Sequence, residues 1–325
     1  MERQTENRGI NVSHKRVLAY CGIVFVVLIW GLYPVFTSGL LSYYSGGAFT
    51  FVSSLISALV LLPECLPRRK LLHATYFKIA VPTGLFVGAA NLMQKIGLQY
   101  TTPTQYAFLE NLSCVVVPLL LFLYVKKRPH PLTVGASLLC LFGCFVLSGL
   151  ISSGGAAFGP GEVLCALAGV FYGVNIATTG VFATRLNAVL YVTIQMWVNV
   201  AVSGVAMVVL NAIQVNGAPL EAISFSWEPG HLLFLAILVL SVSTFGWLIR
   251  TEVLKHVNAA AVAVIMPFSS VVTGIVAVAV GQDAFSFHLL FGGLLIILSS
   301  VLSTLADIRA ARPAKKHLKE QLDDD

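Results

Sequence analysis

Gln105–Pro118 reads QYAFLENLSCVVVP. Most of this stretch is apolar enough to cross a lipid bilayer, yet it places Glu110 and Asn111 side by side within it. An ionised side chain at membrane depth costs roughly 2.5–3.5 kcal/mol on insertion scales. It survives only against a partner, a proton or a wet cavity, and the stretch therefore predicts a polytopic bundle with a polar interior.

The rest of the chain agrees. It is 325 residues long, 57% hydrophobic and only 10% charged, against about 25% charged for ordinary soluble domains. Its formal net charge of +6 sits in short loops and tails between apolar runs, so no nucleic-acid partner is expected. The six cysteines, at 21, 65, 114, 140, 144 and 165, fall mostly within those runs with no CxxC spacing and read as small packing residues. The first apolar run follows His14-Lys15-Arg16 but is too long for a signal peptide and lacks a small-x-small cleavage site, so it is expected to be a retained span.

A helix crosses the hydrocarbon core in about 20 residues. Ten segments qualify: 17–38, 46–63, 76–99, 103–125, 132–150, 160–183, 189–210, 230–253, 258–280 and 287–306. PECLPRRK, KKRPHP and SSGGAAFGPG punctuate them, and the 211–229 loop is the longest. Arg68-Arg69-Lys70, Lys126-Lys127-Arg128, Arg185, the Arg250/Lys255 region and both tails fall on one side, which the positive-inside bias makes cytosolic. Glu221, Glu228 and Asp283 lie on the other side. Both termini (residues 1–16 and 307–325) are thus expected in the cytosol.

An internal repeat follows from aligning Gln99–Val117 with Lys255–Thr273. Each is a polar hinge and then an apolar helix, with Asn111 opposite Pro267, Ser113 opposite Ser269 and Gln94 opposite Arg250. Trp30-Gly31 has its counterpart in Tyr172-Gly173. Five spans per half is an odd number, so the second half must be inserted upside down. The predicted fold is an all-α integral membrane protein of ten transmembrane helices in two inverted five-helix repeats, residues 17–150 and 160–306. In such proteins the substrate site lies near the midplane, between the halves.

Trp30-Gly31, GLQYTTPTQYAFLENLSCVVVPLL (97–120), KKRPHPLTVGASLLCLFGCFVLSG (126–149) and LKHVNAAAVAVIMPFSSVVTGIVAVAVGQD (254–283) together resemble the drug/metabolite transporter superfamily, specifically its ten-span EamA-type carriers. The resemblance covers nearly the whole chain. It departs at Gly281-Gln282, where the family often has Gly-Glu, and at Glu110-Asn111, where relatives usually carry small or neutral residues. It implies gradient- or proton-linked transport of small metabolites across a bacterial inner membrane, often export.

Candidate site residues come from helical spacing. Tyr106, Glu110, Ser113 and Cys114 make one polar stripe, and Asn91, Gln94 and Lys95 share a face above Gly84 and Gly88. Counted from the hinge at 100–102, Lys95 and Glu110 lie at similar depth, so they are expected to be neighbours, as a structural ion pair or as a gate or substrate clamp. Ser243, Gly246, Trp247 and Arg250 recur at helical spacing; Arg250 either lines the cavity or snorkels to the surface beside Glu252. Trp30, Tyr33, Tyr172 and Trp247 could cage an ammonium group or stack on an aromatic substrate, with Asn175 one turn after Tyr172. Pro34, Pro82, Pro118 and Pro267 are expected to interrupt their spans.

No phosphate-binding GxxxxGK[ST] occurs, nor HExxH or GxSxG, and the histidines lack metal-ligand spacing. No catalytic residue, metal or cofactor is expected. The function these features predict is a secondary carrier of a small polar metabolite (amino acid, amine or related compound), an exporter, with Lys95 and Arg250 meeting substrate anions at opposite ends of the cavity. A membrane-embedded enzyme or a passive channel are the alternatives. The expected partners are a small-molecule substrate, the lipid bilayer and protons as a candidate coupling ion, in a monomer or homodimer.

Overall fold

The computed structural model describes residues 2–126, 130–147, 159–215 and 217–323. Among these, nine helical segments are long and apolar enough to cross a membrane, and Pro131–Leu147 is a tenth, shorter apolar helix. In chain order the helices are α1 (Glu2–Leu40), α2 (Gly46–Cys65), α3 (Ala74–Leu98), α4 (Pro103–Glu110), α5 (Ser113–Val125), α6 (Pro131–Leu147) and α7 (Pro160–Phe182). They continue with α8 (Ala188–Ala212), α9 (Pro229–Leu238), α10 (Trp247–Val253), α11 (Ala259–Ile265), α12 (Phe268–Ala279) and α13 (Phe287–Asp323). The protein is an all-α membrane protein. Lys127, Arg128 and most of the SSGGAAFGPG loop lie outside the described residues.

The expected ends are set by side chains that satisfy the orphan amides of each first turn. Ser45 accepts from Ala48 N, Thr102 from Gln105 N, Asn187 from Val189 N and Asn258 from Ala260 N. Thr102 and Asn258 correspond in the repeat alignment, so both hinges open their helices by the same device. The first and last helices run beyond the apolar spans: α1 begins at Glu2 and α13 ends at Asp323. Both tails are rich in Glu, Gln, Arg, Lys or Ala, residues with little intrinsic resistance to helix.

The fourth, eighth and ninth spans are not continuous α-helices. Two short helices, α4 and α5, make the fourth, and α11 and α12 make the ninth. In the eighth, a π-helical segment, Val239–Gly246, separates α9 from α10. Proline does not decide where breaks fall. Pro34, Pro82 and Pro118 sit inside unbroken α1, α3 and α5, contrary to expectation, and only Pro267 marks an interruption. The fourth span breaks at Asn111-Leu112 without any proline. There the amides of Asn111, Leu112, Cys114 and Val115 each bond three residues back, tightening the chain out of register. Ser269 and Ser270 do the same after Met266-Pro267. The two breaks fall at aligned positions of the two halves.

Large apolar side chains such as Leu28, Leu119, Phe142 and Leu294 face outward, whereas buried Ser, Thr, Asn and Gln lie within. That arrangement suits hydrocarbon outside and polar contacts inside. Helix pairing follows a pattern. Numbering the spans one to ten, the contacts 3–6, 4–6, 3–7 and 2–3 each have a counterpart with every number moved by five: 8–1, 9–1, 8–2 and 7–8. The pairs 2–7, 5–10 and 4–9 map onto themselves.

Two glycines show the same exchange at atomic scale. A Cβ on Gly31 would stand 2.5 Å from Val272 Cβ and 2.8 Å from Ser269 O; one on Gly173 would stand 2.8 Å from Val116 Cβ and 3.4 Å from Ser113 Cα. Val272 aligns with Val116 and Ser269 with Ser113, so each glycine lets its helix lie against the broken span of the other half. Gly31→Ala is expected to overpack α1 against α12, costing about 1–3 kcal/mol, read as a lower melting temperature in detergent. Gly39→Ala, where nothing lies within 4 Å of the new Cβ, is the neutral control.

At the face opposite the termini, the 213–228 connection straps across the ends of α1, α2 and α3. Ser45 N donates to Ser224 O at 3.1 Å, and Tyr44 Oη donates to Ser226 O at 3.0 Å. Gly47 N, in the first turn of α2, donates to the Glu221 carboxylate at 3.2 Å, where the helix dipole also favours a negative charge. Burial nevertheless raises the Glu221 carboxyl above its ordinary 4.5, against the opposing bonds from Gly47 and Gly46. The docked strap therefore holds a proton more tightly than a released one. Docking is strongest below 4.5 and weakens as pH rises from there through the raised value. Hydrogen exchange at residues 45–49, corrected for intrinsic rates, should show more protection at about pH 5 than at about pH 8. Glu221→Gln should remove that difference.

Candidate functional site

The breaks in the fourth and ninth spans meet at the centre. Because Asn111 N donates to Phe108 O, the Ala107 carbonyl is left without its helical partner; it accepts the Ser270 hydroxyl at 3.0 Å. The Asn111 side-chain amide in turn donates to Ser270 Oγ. On the other break, Val264 O accepts from Ser300 Oγ of α13 at 3.0 Å. Thr273 of α12 donates to Gly31 O of α1 at 2.8 Å. In a bilayer each carbonyl freed by a broken helix must find a donor inside the protein, and the Ser270 and Ser300 hydroxyls do this for Ala107 and Val264.

Beside this crossing lies a cleft of about 710 Å³, its mouth included, between α1, α3, α4, α5, α7, the π-helical segment, α10 and α12. Its wall carries Glu110, Lys95, Arg250, Asn91, Gln94, Asn111, Trp30, Tyr33, Tyr106, Tyr172 and Trp247. Of the residues expected at the site, Asn175 and Cys114 stay off the wall; Asn175 is fully buried and accepts from the Arg250 guanidinium. Cys114 leaves the expected stripe: it is buried against Ser137 O of α6, because the tight turn at 111–112 changes the helical phase after Glu110. Ser243, Ser269 and Thr273 also line the cleft. Ser269 was accessible through its alignment with Ser113 and Ser243 through its helical spacing with Trp247 and Arg250, whereas nothing in the sequence marks the π-helical segment itself.

Lys95 and Glu110 share the cleft without pairing: among the described residues no ion pair within 4.0 Å joins them. Lys95 Nζ donates instead to Gln94 Oε1 and lies 4.8 Å from the centre of the Tyr33 ring. The Tyr172 hydroxyl is shared between Asn91 Oδ1 at 2.7 Å and Gln94 Oε1 at 2.9 Å. The ammonium is thus held by an amide oxygen and an aromatic face, with Glu110 in electrostatic reach across the space.

Arg250 does not snorkel. Lys255 takes Glu252 at 2.6 Å, while Arg250 is only 1% exposed and turns inward. Its guanidinium lies 4.2 Å from the Trp247 ring and 5.9 Å from that of Trp30. Those two indoles are themselves 5.6 Å apart, and the Trp30 N–H is tied to Val242 O at 3.3 Å. A desolvated guanidinium on an indole face gains roughly 2 kcal/mol or more, which fixes its position without neutralising its charge.

The fold and this charged interior define a multi-pass membrane protein built around a polar cleft. Residues 17–149 match the model of the EamA-like transporter family, which gives the first half of the chain a domain similar to that family. It is 25% identical over 292 residues to a protein of Archaeoglobus fulgidus described as "Uncharacterized transporter", covering 90% of this chain and 87% of that one. A solved structure titled "Crystal structure of protein" shares the fold, with a TM-score of 0.70 at 18% identity over 90% of this chain and 99% of that chain. The superfamily membership that the sequence suggested is thereby supported.

Proposed function

We propose that the protein is a secondary active transporter of a small polar metabolite, an amino acid, amine or related compound, working by alternating access between inverted halves at 17–150 and 160–306. The observation that carries this reading is the cleft itself: three ionisable side chains, Lys95, Glu110 and Arg250, converge on one space without an ion pair among them. Charges kept apart at membrane depth are costly, and a binding site is what recovers that cost.

The inverted repeat is supported by the exchange of contacts between halves and by breaks at aligned positions of the fourth and ninth spans. Paired interruptions of this kind mark the substrate site in carriers built from inverted repeats. The cytosolic placement of both termini rests on the one-sided Lys and Arg, and export across a bacterial inner membrane on the family resemblance. Glu110 is the candidate coupling carboxylate, since it lines the cleft with both cations and, among the described residues, forms no ion pair with either within 4.0 Å.

Purified protein in liposomes should catalyse saturable exchange of a member of an amino-acid and amine panel, with a rate that depends on pH. Glu110→Gln should lower that rate roughly tenfold, equivalent to about 1.4 kcal/mol, and flatten its pH profile. Wild-type rates at every pH would remove the carboxylate from coupling, and steady conductance without saturation would make the protein a channel.

A further inference from the structure

The cleft holds two cations and one carboxylate, and the surplus charge has an address. Glu110 lines the same cleft as Lys95 and Arg250, but one anion cannot balance two cations. Lys95 is partly compensated by Gln94 Oε1 and the Tyr33 face. Arg250 is placed differently. It lies under two indoles, and among the described residues its one acceptor is the neutral Asn175 amide and its Nε has no hydrogen-bond partner. Among the described residues no carboxylate lies within 4.0 Å of it.

A guanidinium at this depth, stripped of water and left with an unused donor, is an incomplete hydrogen-bonding arrangement. Its planar fork matches two oxygens of a carboxylate or phosphate better than it matches any neutral group. The stacking on Trp247 holds that fork in one plane beside the cleft that Arg250 lines. The aromatic walls admit the carbon part of a ligand.

Resting on the transporter reading above, we infer that the substrate must carry a carboxylate, which docks on the Arg250 guanidinium between Trp30 and Trp247. Simple amines are therefore poor substrates, and the amino-acid branch of the proposed substrate class is the one this cleft accepts. An amine on the same molecule has Glu110 to meet. Lys95 favours acids with a second negative charge over neutral ones.

The test compares matched sets of ligands, each an amino acid, its carboxamide and the amine that lacks the carboxylate, with acidic, aliphatic and aromatic side chains. Binding is read as thermal stabilisation of the intact purified protein, and transport is measured separately in liposomes. At least one free acid should bind about a hundredfold more tightly than its carboxamide, the loss typical of leaving a buried charge unpaired. In Arg250→Gln the acid should fall to the level of the carboxamide.

Asn175→Asp gives an independent arm, since it is close to isosteric and places a carboxylate where Arg250 already donates. It should keep the fold and abolish the preference for the acid by filling the guanidinium from within. Equal binding of acid and carboxamide, an acid preference that persists in Asn175→Asp, stabilisation by amines alone, or no stabilisation by any ligand overturns the inference. Acid-selective binding without transport supports it while defeating the transporter reading; transport confined to amines does the reverse.

Discussion

The hydrogen bond from the Ser270 hydroxyl to the Ala107 carbonyl is where the architecture is held together. A bilayer supplies no water to a backbone group, so a helix can be broken at mid-depth only if the freed carbonyl is met by another part of the protein. Ser270 belongs to one half and Ala107 to the other. The Asn111 amide completes the junction by donating to the same hydroxyl. Without that crossing, the Ala107 carbonyl, one turn before Glu110, would stand at membrane depth without a donor.

The two halves are related by more than the order of their helices. Trp30 stacks near Trp247, three residues before Arg250; Tyr172 bonds Asn91, three residues before Gln94. Asn91 aligns with Trp247 and Gln94 with Arg250, so the same pair of contacts is made once with aromatic and cationic groups and once with amides. The framework is repeated and the chemistry is not. Divergence of this kind explains why the repeat is faint in the sequence: even the aligned caps Thr102 and Asn258 do the same work with different residues.

Much of the architecture was legible because hydropathy over twenty residues is a strong signal and because a carboxylate in an apolar run has few explanations. Helical spacing also brought Asn91, Gln94 and Lys95 to one face correctly, as α3 is unbroken there. The reading failed where the helix itself is irregular. Pro118 suggested an interruption that the neighbouring turn at Asn111 provides instead, and Cys114 was placed on a stripe that assumes regular phase across that turn. The π-helical segment at 239–246 left no mark, since VLSVSTFG has no residue that demands it. Lys95 and Glu110 were matched by depth alone, and depth does not report which way a long side chain leans.

That last difference carries physical weight. Had Lys95 and Glu110 closed on each other, the cleft would hold one neutral pair and a single cation, and the polar interior could be read as a device for holding α3 to α4. The fold gives each cation a neutral cradle instead: an amide oxygen and a phenol ring for Lys95, an amide oxygen and two indoles for Arg250. Neutral acceptors and π-faces stabilise a charge without cancelling its field. A carboxylate partner would do both, and would have to be displaced before any solute anion could enter. Cradles of this kind keep a buried cation tolerable in the empty protein and still attractive to a ligand, which is the requirement for a site that must fill and empty in every cycle.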